Sequence, residues 1–192
     1  MQTKYLFAFT FAVALSGASH AVVLTGSSAS SANTVTDYSA PGLVSFDLDL
    51  ASFAPTRLDF VLEADDLLGP LSLNAVVRNL SGAALTGFDF RLEGISFAQA
   101  GTVTPTFGTL GYSGYGSDYA SIGFSAPEWA EFHFGNALGD AGAADWLLST
   151  AGLRAGDSFS ITAEVPEPSS AALMLSALCM SGLLAMRRKQ RG

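Results

Sequence analysis

The feature that most constrains the fold of this chain is a repeated alternation of apolar and polar residues with a period of two. Between Val44 and Leu50, for example, the apolar residues alternate with Ser45, Asp47 and Asp49. Such a segment forms a β-strand that buries one face and leaves the other in water. A slip of one residue would place the aspartates in the core, so the register is well specified. The same pattern recurs at 58–63, 71–78, 88–93, 130–134 and 159–165.

Turn-forming residues separate these segments, at 54–55, 65–70 and 81–82. At least six strands with one buried face each predict two antiparallel sheets packed face to face. The predicted fold class is therefore all-β, an antiparallel β-sandwich of jelly-roll or immunoglobulin-like type, with a closed barrel as the alternative. A short helix is predicted at 143–149, where helix-forming residues lie between Gly142 and Gly152.

The N-terminal segment has the three parts of a secretory signal peptide. Lys4 supplies a positive charge, an apolar stretch runs from Tyr5 to Leu15, and Ser19 and Ala21 place small residues before a cleavage site. We expect residues 1–21 to be removed by signal peptidase. The mature chain then begins with a β-sandwich ectodomain over residues 22–165.

The C-terminal segment has the composition of a single membrane span. Ser169 to Met186 contains no charged residue, and a helix of that length would measure about 27 Å, close to the hydrocarbon thickness of a bilayer. A basic tail at 187–191 follows immediately, and the positive-inside rule keeps it in the cytoplasm. We therefore predict a transmembrane helix over 169–186, with a membrane stop formed by Arg187, Arg188, Lys189 and Arg191.

A proline-rich strip precedes the predicted span. Pro166 and Pro168 flank Glu167, and both prolines fix the backbone and remove a hydrogen-bond donor. The strip is therefore extended and exposed. On physical grounds alone it suits either a recognition site for a protease or transpeptidase, or a spacer.

The strip, the single span and the basic tail resemble, in this order, the PEP-CTERM protein-sorting domain. The resemblance covers about residues 164–191 and defines a sorting segment over 166–192. It implies recognition of Pro166, Glu167 and Pro168 by an exosortase, a membrane-embedded cysteine enzyme that cleaves at or near the motif. It also implies a Gram-negative source. Before processing the protein would be anchored in the inner membrane with a periplasmic ectodomain, and afterwards it would lie at the cell surface or in the extracellular matrix.

A second, looser resemblance concerns the ectodomain. Residues 77–82 and 88–92 are similar to a "V-x-N-x-[ST]-G … F-x-F-x-L" hairpin of secreted β-sandwich bodies that carry the same sorting signal. This resemblance implies a fold and no activity.

The charge of the ectodomain restricts its partners. Residues 22–165 contain four arginines, no lysine and sixteen acidic residues, a formal charge of −12. Nucleic acid is excluded as a partner, because its binding requires cationic side chains that neutralise phosphates. The only cysteine, Cys179, lies in the predicted span, so the ectodomain has neither a disulfide nor a thiol nucleophile.

Acidic residues are candidates for metal binding or catalysis, and none forms a specific motif. Asp65 and Asp66 are the best candidates for a weak Ca²⁺ site, although no EF-hand spacing is present and no cofactor is expected. Glu128 and Glu131 bracket Trp129, as a glycosidase pair beside a sugar-stacking ring would. Nothing in the sequence places the two in one cleft.

Nucleophilic catalysis has even less support. His133 is the only histidine of the ectodomain, and the chain contains no Gly-x-Ser-x-Gly nucleophile elbow that could supply its serine. We therefore predict that the protein is not an enzyme.

The segment 108–119 interleaves tyrosines with glycines and is predicted to be a loop. Exposed tyrosines stack on sugar rings or contact proteins, so Tyr112, Tyr115 and Tyr119 are candidate ligand-binding residues. The expected role of the protein is structural or adhesive, in an exopolysaccharide or biofilm matrix. The alternative is a carbohydrate-binding module that uses these tyrosines.

Overall fold

The computed structural model describes residues 21–28 and 32–166. They form thirteen strands and one 3₁₀ turn, without any α-helix. The strands are β1 (Val23–Ser28), β2 (Thr34–Asp37), β3 (Leu43–Leu50), β4 (Thr56–Val61), β5 (Leu71–Asn79), β6 (Leu85–Glu93), β7 (Ser96–Gln99), β8 (Val103–Pro105), β9 (Thr109–Tyr115), β10 (Tyr119–Glu128), β11 (Glu131–Phe134), β12 (Trp146–Ser149) and β13 (Ser158–Glu164). The 3₁₀ turn is Ala64–Leu67.

The strands form two sheets. The first has six strands in the order β1-β4-β13-β6-β10-β9, and every neighbouring pair is antiparallel. The second has the order β2-β3-β5-β11-β8, with β12 beside β5 and β7 beside β12. The prediction of an all-β fold is confirmed.

The prediction of purely antiparallel sheets is wrong for one pair, because β3 and β5 run parallel. The strand between them in sequence, β4, belongs to the other sheet. The chain therefore crosses to the first sheet and returns, so that β3 and β5 point the same way.

Aromatic rings from both sheets fill the space between them. Phe90 of β6 contacts Phe134 of β11 with ring centroids 4.6 Å apart, and Phe88 contacts Phe132 at 5.2 Å. Trp146 stacks on Phe134 at 4.4 Å. All of these side chains are fully buried, so the two sheets pack face to face around one core.

The helix predicted at 143–149 is absent, and Trp146–Ser149 form β12 instead. Trp146 and Leu148 are buried while their neighbours are only partly so, which is the period-two pattern of a strand. Pairing with β5 on one side and β7 on the other supplies the backbone hydrogen bonds. Tertiary pairing therefore overrides the helix propensity of this short stretch.

Two further predictions of local structure are wrong. The tyrosine–glycine segment is not a loop, since Thr109–Tyr115 form β9 and pair with β10. The segments 77–82 and 88–92 do not form a hairpin, because β5 and β6 belong to different sheets. The connection between them is an arch from one sheet to the other.

The side chain of Asn79 shapes this arch. Its Nδ2 donates to the carbonyl of Ala83 at 2.7 Å, and its Oδ1 accepts from the N–H and the hydroxyl of Ser81. Gly82 follows at φ 72°, in the left-handed region that favours glycine. These contacts are a physical reason for the Asn-x-Ser-Gly order in the sequence.

The predicted signal peptide, except for Ala21, and the sorting segment beyond Pro166 lie outside the described residues. Within 21–28 and 32–166, no helix could span a bilayer.

Candidate functional site

The last strand leads directly to the proline-rich strip. β13 lies in the middle of the first sheet, between β4 and β6, and its last residue, Glu164, pairs with Asp89. Glu164 also forms an ion pair with Arg91 on the neighbouring strand. The chain is therefore held on both sides up to the point where it leaves the domain.

Pro166 is exposed and lies beside Gly87 of β6. A β-carbon on Gly87 would be 3.8 Å from Pro166 Cγ and 3.3 Å from the carbonyl oxygen of Ile122. Proline has no N–H to continue the ladder, so the sheet cannot extend past this residue. Of the three predicted recognition residues, the structure describes Pro166 alone, and Glu167 and Pro168 lie outside it.

The end of the sandwich where β13 finishes is called the exit end below. A fully buried carboxylate, Glu128, lies there at the end of β10. Oε2 accepts from the N–H groups of Thr106, Phe107 and Gly108, and Oε1 from those of Trp129 and Ala130, all at 2.9 Å.

These donors determine the ionisation of Glu128. Burial raises its pKa, but the N–H groups of Ala130, Gly108, Phe107 and Trp129 outweigh burial, and the pKa lies below its ordinary value. The carboxylate is charged, inaccessible and fully occupied. It joins the β8–β9 connection to the β10–β11 connection.

Glu131, the other half of the predicted carboxylate pair, has a different environment. It lies on the outer face of the second sheet, with Oε2 3.6 Å from Arg78 Nε and Oε1 3.5 Å from His133 Nε2. Since Glu128 is enclosed by backbone donors, the two carboxylates do not form an acid–base pair in one cleft. Trp129 between them is exposed.

Arg78 is the centre of a charged cluster on this face. It pairs with Asp47, with Asp49 at 3.0 Å and with Glu131, and the hydrogen bonds to Asp47 and Asp49 raise its pKa further above its ordinary value. A cleft of about 310 Å³ lies beside the cluster. Its lining residues are Tyr38, Ser45, Phe46, Asp47, Val76, Arg78, Ala137 and Leu138.

Asp66, one of the two candidate calcium ligands, is buried and already engaged. Oδ1 accepts from the N–H of Gly42 at 2.9 Å and Oδ2 from that of Glu63 at 2.8 Å. In the described part of the chain, no group of three or more histidine, cysteine or acidic residues could hold a metal ion. The geometry gives Asp66 a role in joining the 3₁₀ turn to the β2–β3 connection.

The three candidate tyrosines do not share one face. Tyr115 pairs with the buried Ala120, and its ring contacts Phe97 and Trp146 with centroids 6.3 and 5.9 Å away. Tyr112 pairs with Gly123 and therefore lies on the same face of the sheet as that residue. Tyr119 precedes Gly123 by an even number of residues on β10, so strand alternation places it on this face too. The structure therefore brings Tyr112 and Tyr119 to the outer face, whereas the ring of Tyr115 lies against Phe97 and Trp146 with 43% of the residue still exposed.

Both outward tyrosines lie against glycines. A β-carbon on Gly123 would be 2.0 Å from Cε1 of Tyr112, and one on Gly116 would be 2.5 Å from Cε1 of Tyr119. Each ring therefore rests on bare backbone, and about half of each side chain stays exposed, 59% for Tyr112 and 44% for Tyr119.

Comparison with known proteins gives one match. The family model of the PEP-CTERM protein-sorting motif matches residues 164–189, beginning at the last residue of β13. No curated protein and no solved structure matches the chain. The chain therefore carries a PEP-CTERM sorting motif, which directs export and sorting to the cell surface by an exosortase.

Proposed function

We propose that this protein is a non-catalytic structural or adhesive component of the cell surface or the extracellular matrix, released from a membrane-anchored precursor by an exosortase. In the precursor, residues 169–186 span the inner membrane, the basic tail stays in the cytoplasm and the sandwich lies in the periplasm. The enzyme recognises Pro166, Glu167 and Pro168. No cofactor takes part.

One observation carries the proposal: the last strand ends at Glu164, and Pro166 is exposed two residues later. A cut at or beyond Pro166 removes no residue of any described strand. The processed domain therefore keeps its whole core. A protein that functions after cleavage has to remain folded in this way. Two acidic residues that the sequence offers as a catalytic and a calcium-binding candidate, Glu128 and Asp66, are engaged in structural contacts.

The test is processing in the native host. A Pro166→Ala/Pro168→Ala variant should accumulate as the uncleaved precursor. Pro41→Ala/Pro70→Ala is the matched control, since both prolines are exposed and far from the motif. Normal maturation of the motif variant would reject the recognition role.

A second candidate function is glycan binding by Tyr112 and Tyr119. The observation in its favour is that both rings lie on glycine backbone and stay about half exposed, an arrangement suited to stacking on a sugar ring. Tyr115 is not part of the proposed binding surface, because its ring packs on Phe97 and Trp146. A Tyr112→Ala/Tyr119→Ala variant should lose retardation in gels that contain the host exopolysaccharide, whereas Tyr38→Ala should keep it.

The variant Gly123→Ala sharpens that test. Its new methyl group would displace the Tyr112 ring without removing it. Loss of retardation in this variant would show that the position of the ring matters, and full retardation would reject a stacking role for Tyr112.

A further inference from the structure

Three large apolar side chains are exposed together at the exit end. They are Leu80 at 61%, Phe107 at 74% and Trp129 at 57% exposure. The N–H groups of Phe107 and Trp129 bind the two oxygens of the same Glu128 carboxylate. Asn79, which precedes Leu80, donates its N–H to the carbonyl of Ala130. Hydrogen bonds thus hold the three residues, called the apolar tip below, in neighbouring turns.

The apolar tip projects in the direction in which the chain leaves. Pro166 lies beside Gly87, whereas Leu85 of the same strand pairs with Glu128. Glu128 is therefore two residues, or about 7 Å, farther toward the exit end than Pro166. The apolar segment begins at Ser169, three residues after Pro166 in the sequence, and three residues of fully extended chain span about 10 Å.

The distribution of charge along the sandwich agrees with this direction. The described connections at the exit end are residues 32–33, 51–55, 80–84, 106–108 and 129–130, and none of these residues is charged. The connections at the opposite end carry one arginine, Arg154, and many carboxylates. These are Glu63, Asp65, Asp66, Asp118 and Asp157.

We propose that the apolar tip is a membrane-docking surface that inserts Leu80, Phe107 and Trp129 into the interface of the bilayer while the precursor is anchored. The inference rests on the proposed span at 169–186, which places the exit end within reach of the bilayer. Tryptophan and large apolar side chains favour the interfacial region. Because the connections at the exit end are uncharged, docking would place no carboxylate of theirs against the lipid head groups. The acidic connections lie at the end of the sandwich that faces away from the bilayer.

Docking has a consequence for processing. A tip inserted beside the span fixes the orientation of the sandwich above the bilayer, which keeps the strip at 166–168 at the membrane surface. A membrane-embedded protease would find its recognition residues at a constant height. The rigid support for the tip is Glu128, whose five hydrogen bonds fix the backbone of two of its three residues.

The chain contains its own probe for a test, because it has two tryptophans and Trp146 is fully buried while Trp129 is exposed. The full-length precursor is reconstituted in phosphatidylcholine vesicles, with or without bromine on the lipid chains near the head group. Flotation of the protein with the vesicles tests the span, independently of docking. We expect blue-shifted tryptophan emission that brominated lipid quenches, and a Trp129→Phe variant that loses the quenched part.

Two variants test the remaining residues of the tip. Leu80→Ser/Phe107→Ser should weaken the quenching of Trp129, whereas Leu68→Ser, at a residue 87% exposed at the opposite end, should leave it unchanged. A precursor that floats but shows no quenching of Trp129 would overturn the proposal. The apolar tip would then be either free in solution or a binding surface for a protein that the vesicles lack. A precursor that does not float would contradict the proposed span, on which docking depends.

Discussion

The carboxylate of Glu128 accepts a hydrogen bond from the backbone N–H of Gly108, 2.9 Å away, and joins two connections that are twenty residues apart in the sequence. Four further N–H groups bind the same carboxylate. The buried carboxylate and its five N–H donors satisfy one another. Removing the carboxylate would leave the donors buried and unpaired, which destabilises the folded state. The exit end therefore depends on one side chain.

Replacing Glu128 with glutamine should destabilise the domain by about 2–4 kcal/mol, because the amide NH₂ would face N–H donors and leave them unpaired. The measurement is urea unfolding of the ectodomain at neutral pH. Glu131→Gln is the control, since that carboxylate is partly exposed and should cost less than about 1 kcal/mol. Equal stabilities of the two variants would contradict the structural role of Glu128.

The same residue predicts how stability depends on pH. The pKa of Glu128 in the folded state lies below its ordinary value of 4.5, so the unfolded state binds the proton more readily. Its contribution is fully present above pH 4.5 and is lost as the pH falls through the folded-state pKa. The difference in stability between the wild type and Glu128→Gln should therefore shrink on acidification below pH 4.5, and a difference that grows would be contrary to this linkage.

The arch between β5 and β6 gives a third prediction. Asn79→Ala removes the bonds to Ala83 and Ser81 and leaves the buried carbonyl of Glu128 without the Asn79 amide, so we expect a loss of about 2–3 kcal/mol. Ser81→Ala, which loses a partly exposed hydroxyl, should cost about 1 kcal/mol. Denaturant midpoints measure both. A neutral Asn79→Ala variant would show that the arch does not need this side chain.

The charged cluster around Arg78 gives a fourth prediction. Arg78→Met leaves Asp47, Asp49 and Glu131 close together without a cation. Because the cluster is partly exposed, the loss of stability should be about 1 kcal/mol at low salt and smaller at high salt, where like-charge repulsion is screened. Arg154→Ala is the control, since its guanidinium forms no ion pair in the described structure and the substitution keeps the backbone N–H that donates to Asp157. A loss that does not change with salt would argue against electrostatic repulsion as its cause.

The strands that the sequence predicts are those whose two faces differ clearly. β3 alternates buried and less buried residues as the polar pattern indicates, and β13 does so except at Ser160, which is buried. β9 does not, because its glycines and exposed tyrosines mark no buried face. β12 is too short to distinguish from a helical turn by composition. The parallel pairing of β3 and β5 depends on β4 joining the other sheet, which no local pattern encodes.

The sequence predicts those parts of the candidate site that form a continuous motif, and misses those that depend on contacts between distant residues. The strip at 166–168, the apolar segment and the basic tail form a linear signal, so the sequence alone identifies it. Glu128 was harder, because the register of β10 shifts between Gly123 and Glu128 and Ala126 is exposed, so the alternation that buries Ile122 and Phe124 does not extend to it. The apolar tip brings together three distant connections, and only the fold shows their proximity.

The most direct test of the central claim is the intact mass of the protein recovered outside the inner membrane of its host. We predict a chain that starts at Val22 and ends at or near Pro166–Pro168, which would establish cleavage at both ends and release of the complete sandwich. A mass that still includes Met186 and the basic tail would identify an unprocessed chain and contradict the proposed release by an exosortase.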